Sequence, residues 1–512
     1  MKKLFLLGCL LLVSCVTVRH IEITPVDSDE DSASPILVES PVKAHLVDGS
    51  TVMFPKGLTV EDKKIKGEGF KYDLTLEHSE PVTEIDLDDV AAMESYQDVV
   101  NTGATVAATT ITTVGGGLVG IALIKAIFGS CPTIYSFENG EAVLEAESFS
   151  YSIAPGFEAR DVDRLGIASV GQSTIELEMR NEALETHYVN HVELLEVVHA
   201  QEESVYPDPG GRPVIVGELR AADIVVDRSG RRIEEIVATA DGNAWSTATE
   251  LLKNVSADDM EDYVDLEFDM PASAGQLALV LRLRNSLLNT VLLYDVILNG
   301  QGFHALDWMG DDLNRLWPKY KLARWYQKKL GMRIAVWDRG RYRHVTTIAD
   351  TGPIAWNELA ILLPATKSET VKVRLSFVAD NWRIDQIALA TNARIGEARK
   401  IPVTQVHSAS GAEHRQARKN LHAADDAYLV TKPGEFVRLR FDIGPSENDL
   451  QRTWFLAAEG YYIEWMRKEW LETTSETSFV PNDEALYTAI GLWEPQRDEL
   501  REQFESTRIR VR

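Results

Sequence analysis

Cysteine is scarce in this chain. Its 512 residues include three cysteines, Cys9, Cys15 and Cys131. Cys9 lies inside an apolar N-terminal stretch with the character of an export leader, and Cys15 lies at its end. Cys131 would then be the only thiol of the mature chain, so no intrachain disulfide can form. Cys131 precedes a proline and an apolar-aromatic run, and we predict a buried structural thiol rather than a reactive nucleophile.

Positive charge is also in short supply. The chain has 52 lysines and arginines against 79 aspartates and glutamates, a formal net charge of −27. This total argues against a nucleic-acid partner, because phosphate binding needs a basic face that releases counterions. It equally argues against attachment to anionic lipids through a polybasic patch. The charge balance therefore predicts no nucleic-acid partner.

Common catalytic motifs are missing. The sequence contains no His-Glu-x-x-His, no Gly-x-Ser-x-Gly and no Gly-x-x-x-x-Gly-Lys pattern, so the usual hydrolase and nucleotide signatures are absent. His187 and His191 are four residues apart and would share a face on a strand or a helix, but the sequence nominates no third metal ligand. We predict no catalytic residue, no cofactor and no metal site.

The N-terminus has the features of a lipoprotein leader. Met1–Lys3 is basic, Leu4–Val13 is apolar, and the stretch ends in Leu-Val-Ser before Cys15. These residues resemble the lipobox of bacterial lipoproteins, in which the cysteine takes a diacylglycerol thioether, is exposed by cleavage of the leader and is then N-acylated. The resemblance implies that residues 1–14 are removed by cleavage after Ser14 and that Cys15 is acylated with lipids such as palmitate. It also implies a place in the bacterial cell envelope. Because Cys15 is followed by Val16 rather than by aspartate, the resemblance favours the outer membrane if the cell has one.

Two weaker interpretations of the N-terminus stay open. Cys9 is a second candidate for acylation, but it would leave only Leu4–Gly8 as the apolar region. The stretch also fits an ordinary secretory leader with an incidental cysteine. Acyl chains on Cys15 would anchor the protein stably without a membrane-spanning helix.

The next hundred residues divide into a tether and a small β unit. Residues 15–40 are polar and acidic, which indicates a solvated tether. In residues 41–97 apolar residues alternate with polar ones, and Asp48-Gly49 marks a tight hairpin turn. Short strands at this spacing predict a small barrel of the SH3 or Sm type.

A glycine-rich apolar segment, residues 98–130, follows. Gly103–Phe128 carries a single charge, Lys125, and as a helix rising about 1.5 Å per residue it would cross a hydrocarbon core of roughly 30 Å. We predict membrane association for it. The alternatives are a re-entrant hairpin bent at Gly115–Gly117, a helix-helix contact through Gly116 and Gly120, and a buried core helix.

The long C-terminal part is predicted to be mainly β. Asn139-Gly140 lies between apolar alternating runs and indicates a hairpin. Further period-two segments, among which we include Val291–Leu298, predict an antiparallel β-sandwich region over residues 131–393. Residues 394–512 are predicted to form an α+β region, with helical periods over Gly460–Leu471 and Asp483–Phe504. The fold class is mainly β, α+β overall.

As a whole the chain resembles a group of uncharacterised bacterial envelope lipoproteins. The resemblance covers most of the chain and implies no established reaction. The residues that carry it are Cys15, Gly103–Phe128, Cys131, Pro132, Tyr135, Phe137, Trp382, Asp385 and Arg452–Trp470.

Tryptophan is absent from the first 244 residues, since all 11 lie from Trp245 onward. Sandwich domains that bind sugars use exposed aromatic faces, whereas core filling is the commoner use of tryptophan. The candidates for a glycan-facing platform are Trp308, Trp317, Trp325, Trp356 and Trp465.

Three functions are consistent with these features. We predict a lipid-anchored envelope protein that acts as a non-enzymatic binding or scaffold module. The alternatives are a glycan-binding surface lipoprotein and an envelope hydrolase whose site a single sequence does not reveal. The predicted partners are the membrane, through the lipid anchor and Gly103–Phe128, and other envelope proteins or glycans.

Overall fold

The computed structural model describes most of the chain from residue 131 onward and parts of the N-terminal region. The described residues are 21–26, 36–38, 42–46, 50–72, 79–101, 104–114, 131–138, 141–167, 172–183, 185–270, 275–302, 304–366, 368–432, 435–445, 450–464, 470, 473, 478–506 and 510–511. The predicted leader, Cys15 and most of the acidic tether lie outside them.

The N-terminal unit is one nine-stranded sheet. Its strands are β1 Ile21–Val26, β2 Ile36–Val38, β3 Val42–Leu46, β4 Thr51–Phe54, β5 Leu58–Glu61, β6 Lys64–Tyr72, β7 Ser79–Asp86, β8 Val90–Asn101 and β9 Ala104–Val114. The predicted hairpin at Asp48-Gly49 is confirmed by the β3–β4 pairing, in which His45 lies opposite Thr51.

The predicted small barrel of the SH3 or Sm type is wrong for this unit, because the sheet that the described strands form does not close. Among the described strands, pairing runs along an open path from β1 through β9, β8, β3, β4, β6 and β5 to β2, with β7 on β6. The path stays open because β8 continues past β3 and pairs with β9, so the sheet grows outward instead of closing. Its core consists of alternating side chains such as Val42, Val52, Phe54 and Ile65.

The helical interpretation of Gly103–Phe128 is also wrong for its first half. Ala104–Val114 is strand β9, antiparallel to β8 and parallel to β1. This stretch is rich in threonine, valine and isoleucine, whose branched Cβ atoms favour strands over helices. Residues 115–130 lie outside the described residues. No helix in the described part of the chain is both long enough and apolar enough to cross a bilayer.

The described strands of the large C-terminal part fall into five sheets. Those before residue 200 are β10 Thr133–Glu138, β11 Glu141–Glu147, β12 Ala159–Leu165, β13 Thr174–Arg180 and β14 Glu185–His199. The next group is β15 Ser204–Pro207, β16 Pro213–Val216, β17 Leu219–Ala221, β18 Ile224–Asp227, β19 Glu261–Asp269, β20 Ala278–Asn285, β21 Met332–Asp338, β22 Arg341–Ile348, β23 Asn357–Leu362, β24 Thr370–Val378, β25 Trp382–Ala390 and β26 Arg394–Ile395. The last are β27 Arg399–Pro402, β28 Gln405–Ser408, β29 Leu429–Thr431, β30 Phe436–Asp442, β31 Gln451–Glu464 and β32 Arg510–Val511.

Helices are few among the described residues. The α-helices are α1 Thr249–Lys253, α2 Leu288–Val291, α3 His304–Asp307, α4 Leu316–Lys329, α5 Arg415–Asn420 and α6 Asp483–Ser506. Leu292–Leu298 and Trp308–Asp312 are π-helical, and Leu87–Asp89, Pro155–Phe157 and Asn299–Gln301 are short 3₁₀ turns. The fold class predicted from the sequence, mainly β with several antiparallel sheets and some helix, is confirmed.

Two local predictions are wrong and one is confirmed. Val291–Leu298, predicted as a strand, is helical, because its buried leucines and isoleucine belong to a core that continues from Leu288 at helical spacing. Gly460–Glu464, predicted as helical, is the end of strand β31. The Asn139-Gly140 hairpin is confirmed, since Glu138 lies opposite Glu141 across the two-residue turn.

The first sandwich is built from both ends of the C-terminal part. One sheet has the order β28-β30-β13-β10-β11-β32, and the other has the order β12-β31-β14-β27 with β29 also paired to β14. The boundary predicted after residue 393 therefore does not separate two units, because strands from 399–464 pair with strands from 133–199. Ile134, Leu177, Leu439 and Trp454 belong to the core between these sheets.

The second sandwich is inserted between those two ends. Its sheets have the orders β17-β25-β20-β23 and β18-β19-β24-β21-β22. They enclose a core of leucines, isoleucines and valines around Trp245 and Trp382.

A three-stranded sheet, β15-β16-β26, joins the two sandwiches back to back. Ile215 of β16 packs on Val197 and Phe455 of the first sandwich. Its neighbours Val214 and Val216 pack on alanines of the second sandwich. Because side chains alternate across a strand, this small sheet contacts one sandwich with each face.

A helical layer closes one side of this junction. Its core includes Leu288, Trp308 and Trp493 together with Tyr461 of the first sandwich and Val378 of the second. The two sandwiches and the helices therefore share buried surface.

We expect Gly460→Ala to destabilise the protein. A Cβ atom at Gly460 would lie 2.3 Å from the carbonyl oxygen of Tyr188, where β31 crosses a bulge in β14. The predicted cost is about 2–3 kcal/mol, because a backbone atom has to move. Gly491→Ala in α6 is the matched control, since its Cβ meets nothing within 4 Å, and it should stabilise by about 0.5–1 kcal/mol. Urea unfolding measures both, and equal effects of the two substitutions would contradict the strand register.

Candidate functional site

A cavity of about 260 Å³ lies where the helical layer meets the first sandwich. Four segments of the chain line it. They are residues 150–157 with Tyr462 of the first sandwich, residues 289–294 of the α2 and π-helical segment, residues 322–327 of α4, and residues 349–353 of the loop after β22.

The walls of the cavity are mostly apolar. Ile153 and Phe157 line it from the first sandwich, Leu293 from the π-helical turns, and Leu322 and Ala323 from α4. Interiors of proteins are close-packed, so an apolar cavity of this size at the junction of structural units is a common place for a small ligand. Its π-helical wall fits this interpretation, because π-helical turns occur frequently at functional sites.

One carboxyl group faces the cavity, that of Asp350. Its Oδ2 accepts hydrogen bonds from the Tyr326 hydroxyl at 3.1 Å and from Nδ2 of Asn289 at 3.2 Å. Its Oδ1 accepts the backbone N–H of Gly352 at 2.8 Å. Burial raises the pKa of Asp350, while the hydrogen bonds from Gly352 and Tyr326 oppose the shift. Burial also raises the pKa of the Tyr326 hydroxyl well above its ordinary value.

A second buried carboxyl group lies on the other side of the same loop. Glu147 is 1% exposed and accepts the backbone N–H groups of Ile354 at 2.7 Å and Ala355 at 3.2 Å. The Cys131 thiol donates to its Oε1 at 3.0 Å. Burial raises the pKa of Glu147 to about 7. Gly352 packs directly on this carboxyl group, so Glu147 fixes the loop that forms one cavity wall.

The prediction that Cys131 is a buried thiol is confirmed. Its side chain is 1% exposed, and burial followed by the charge of Glu147 raises its pKa well above the ordinary value. A thiol in this state is not a nucleophile.

The predicted tryptophan platform does not form one exposed face. Trp308 is buried in the helical layer, and its ring contacts Phe479, which also contacts the half-buried Trp325. Trp356 is half-buried under the guanidinium groups of Arg282 and Arg284.

Of the remaining two tryptophans, Trp317 is exposed and Trp465 lies outside the described residues. Trp317 is 69% exposed on α4, where its ring contacts that of Tyr320. The five tryptophans thus serve different purposes, and two of them fill or border the helical core.

The two histidines singled out in the sequence lie on β14 but on different sides of a bulge. His187 is fully buried, and its Nε2 lies 2.6 Å from Oε1 of Glu185. His191 follows the bulge and is half-buried. In the part of the chain that the structure describes, no group of three or more His, Cys, Asp or Glu side chains is placed to hold a metal ion.

Sequence reasoning did not find the cavity. Its lining comes from four segments distant in sequence, and none of them carries a motif. The helical period of Leu322 and Tyr326 was the only available signal, and it indicates a buried helix face without indicating a space beneath it.

Comparison with known proteins adds little. No family model matches the sequence, and no curated protein matches it. Among solved structures, the chain is similar to a cycloalternan-forming enzyme from Listeria monocytogenes in complex with a pentasaccharide substrate, at 12% identity and a TM-score of 0.17. The match covers 71% of this chain and 29% of the enzyme.

A second similar structure is that of the infectious bursal disease virus Gt strain. The identity is 10% and the TM-score 0.12, over 74% of this chain and 90% of that one. Both TM-scores are too low for an argument about fold or function.

Glu147 should make stability depend on pH. A carboxyl group whose pKa is raised in the folded state stabilises the protein below its unfolded pKa of 4.5, and this contribution is lost as the pH rises through about 7. Glu147→Gln mimics the protonated form, so between pH 4.5 and pH 8 the wild type should lose roughly 2–4 kcal/mol relative to the variant.

Urea unfolding at pH 4.5, 6 and 8 measures this difference. Glu202→Gln at an exposed position is the control and should show no such trend. A wild-type to Glu147→Gln difference that stays constant over this range would contradict the placement of Glu147.

Proposed function

We propose that the chain is a lipid-anchored bacterial envelope protein that binds a small apolar or amphipathic molecule in the cavity under α4. The cavity is the observation that carries this proposal. Its volume is below the roughly 300–1,000 Å³ of drug-sized ligand pockets, which favours a single ring system or a short alkyl chain.

The polar groups of the site support binding rather than turnover. The Asp350 carboxyl group is held by three hydrogen bonds from Tyr326, Asn289 and Gly352. Such a group orients a ligand at one end of an apolar space, and the Asp350 carboxyl group and the Tyr326 hydroxyl are already engaged with each other by a hydrogen bond.

The anchor is supported by the N-terminal sequence alone. The apolar stretch that ends in Leu-Val-Ser-Cys resembles a lipobox, and acyl chains on Cys15 would hold the described sheets close to a membrane. Apolar molecules are concentrated in membranes, so a pocket of this type fits that location.

Filling the cavity should abolish binding of an apolar probe. We expect the full chain to bind indole, a single ring system, at one molecule per chain, with the affinity measured by isothermal titration calorimetry. Leu293→Trp places an indole in the cavity and should weaken the affinity at least tenfold. Leu450→Trp, at a position 42% exposed on the surface, is the matched control and should bind like the wild type. Equal affinities of Leu293→Trp and Leu450→Trp for the probe would contradict the proposed site.

Lipidation is tested separately. Cells that express the wild type should yield a mature chain whose mass includes acyl groups on Cys15, and globomycin should block its processing. Cys15→Ala should carry no lipid and should no longer depend on globomycin-sensitive cleavage. Mature wild-type protein without acyl groups would contradict the anchor while leaving the cavity proposal untouched.

A further inference from the structure

The segment from Arg315 to His344 has a charge opposite to that of the whole chain. It contains ten of the 52 lysines and arginines but only one of the 79 aspartates and glutamates, Asp338. Electrostatic fields at physiological salt are screened over about 8 Å, so a partner at this surface meets local positive charge rather than the net charge of −27.

Helix α4 makes up the first half of this segment and is clearly two-faced. Its inner face consists of the buried Leu322 with the half-buried Trp325 and Tyr326, all of which belong to or pack on the helical core. Its outer face has no acidic residue. The exposed residues there are Leu316, Trp317, Tyr320, Lys321, Ala323, Arg324, Gln327 and Lys328.

Most of the cations on α4 are not neutralised by neighbours. At the two ends, Arg315 pairs with Asp312 at 3.1 Å and Lys329 pairs with Asp483 at 2.6 Å. Between them, Lys321, Arg324 and Lys328 have no carboxylate within 4.0 Å among the residues that the structure describes. The outer face therefore presents cations available to an external anion.

The same face exposes large apolar side chains at its N-terminal end. Leu316 is 75% exposed, Trp317 69% and Tyr320 49%, and the Trp317 and Tyr320 rings meet edge to face. Leu316 and Trp317 are the two most exposed large hydrophobic residues among the described residues. Leucine and tryptophan beside lysine and arginine are the side chains with which an amphipathic helix enters the headgroup region of a bilayer.

We propose that the outer face of α4 docks on a membrane surface that contains anionic lipids. The cations contact lipid phosphates, and Leu316, Trp317 and Tyr320 enter the interface. The prominent aliphatic side chain of Leu316 favours a bilayer over a nucleic acid, because nucleic acids are bound by cations and stacked rings. This inference does not depend on ligand binding in the cavity or on acylation of Cys15.

The test uses the full chain reconstituted into vesicles that contain a brominated phosphatidylcholine, which quenches tryptophan in contact with the bilayer. One set of vesicles contains phosphatidylcholine alone and the other contains 30% phosphatidylglycerol. Vesicle-bound protein is isolated by flotation and the quenching is normalised to its amount, so the readout is contact of α4 rather than attachment. We expect at least threefold more quenching with phosphatidylglycerol, and we expect Trp317→Phe to remove most of that increase.

A charge-reversal pair sharpens the test. The triple variant Lys321→Glu, Arg324→Glu, Lys328→Glu should lose the lipid-dependent quenching. The control triple variant Lys56→Glu, Lys253→Glu, Arg415→Glu changes the net charge equally at exposed positions elsewhere and should retain it.

Quenching that is the same in both vesicle types, or that both triple variants lose equally, would overturn the proposal. So would binding of a labelled single-stranded DNA through Lys321, Arg324 and Lys328 without any quenching by brominated lipid, because that result assigns the face to nucleic acid.

Discussion

The pairing of β14 with β31 is the constraint on which the C-terminal structure depends. The two strands run antiparallel from Glu185 opposite Glu464 to His199 opposite Gln451. About 250 residues lie between the two strands, so their association closes a very long loop. The entropic cost of closing this loop is offset by the apolar surface that both faces of the strand pair bury. Val189, Val192 and Leu194 pack into the core of the first sandwich, whereas Leu195 and Val197 belong to or border the junction with the small sheet.

This arrangement explains why a cavity forms at the junction. The inserted second sandwich is held at one side by the small sheet and at another by the helical layer. The helical layer, the first sandwich and the loop after β22 meet under α4, and the cavity lies between them. The loop that carries Asp350 and Gly352 is fixed from behind by Glu147, a residue of the first sandwich, so the wall of the cavity is set by contacts between units.

The sequence predicts local features of this fold better than its long-range organisation. The Asn139-Gly140 turn, the period-two strands and the buried Cys131 follow from neighbouring residues, and the structure confirms them. The strand prediction for Val291–Leu298 fails because Tyr294 and Asp295 alone interrupt its apolar residues, which is too few polar positions to distinguish a strand period from a helical one. The open N-terminal sheet and the shared sheets across residue 393 depend on which strands meet, and the alternation of side chains does not contain that information.

The two candidate functional surfaces, the cavity and the outer face of α4, also differ in how far the sequence predicts them. The cavity joins four separated segments and has no signature in any one of them. The cations of the basic face of α4 are close together in the sequence. The net charge of the whole chain does not reveal them, because an excess of acidic residues elsewhere outweighs ten local cations. The net charge computed over a window of about 30 residues reveals this basic face, whereas the net charge of the whole chain argues against anionic lipids as a partner.

Hydrogen–deuterium exchange of the full chain, with and without a saturating apolar probe, tests most directly whether the junction is a ligand site. Increased protection is expected in peptides covering residues 289–298, 322–327 and 349–353, with no change in the sheet formed by β18, β19, β24, β21 and β22. Protection confined to that sheet, or absent from all three cavity segments, would contradict a binding site at the junction.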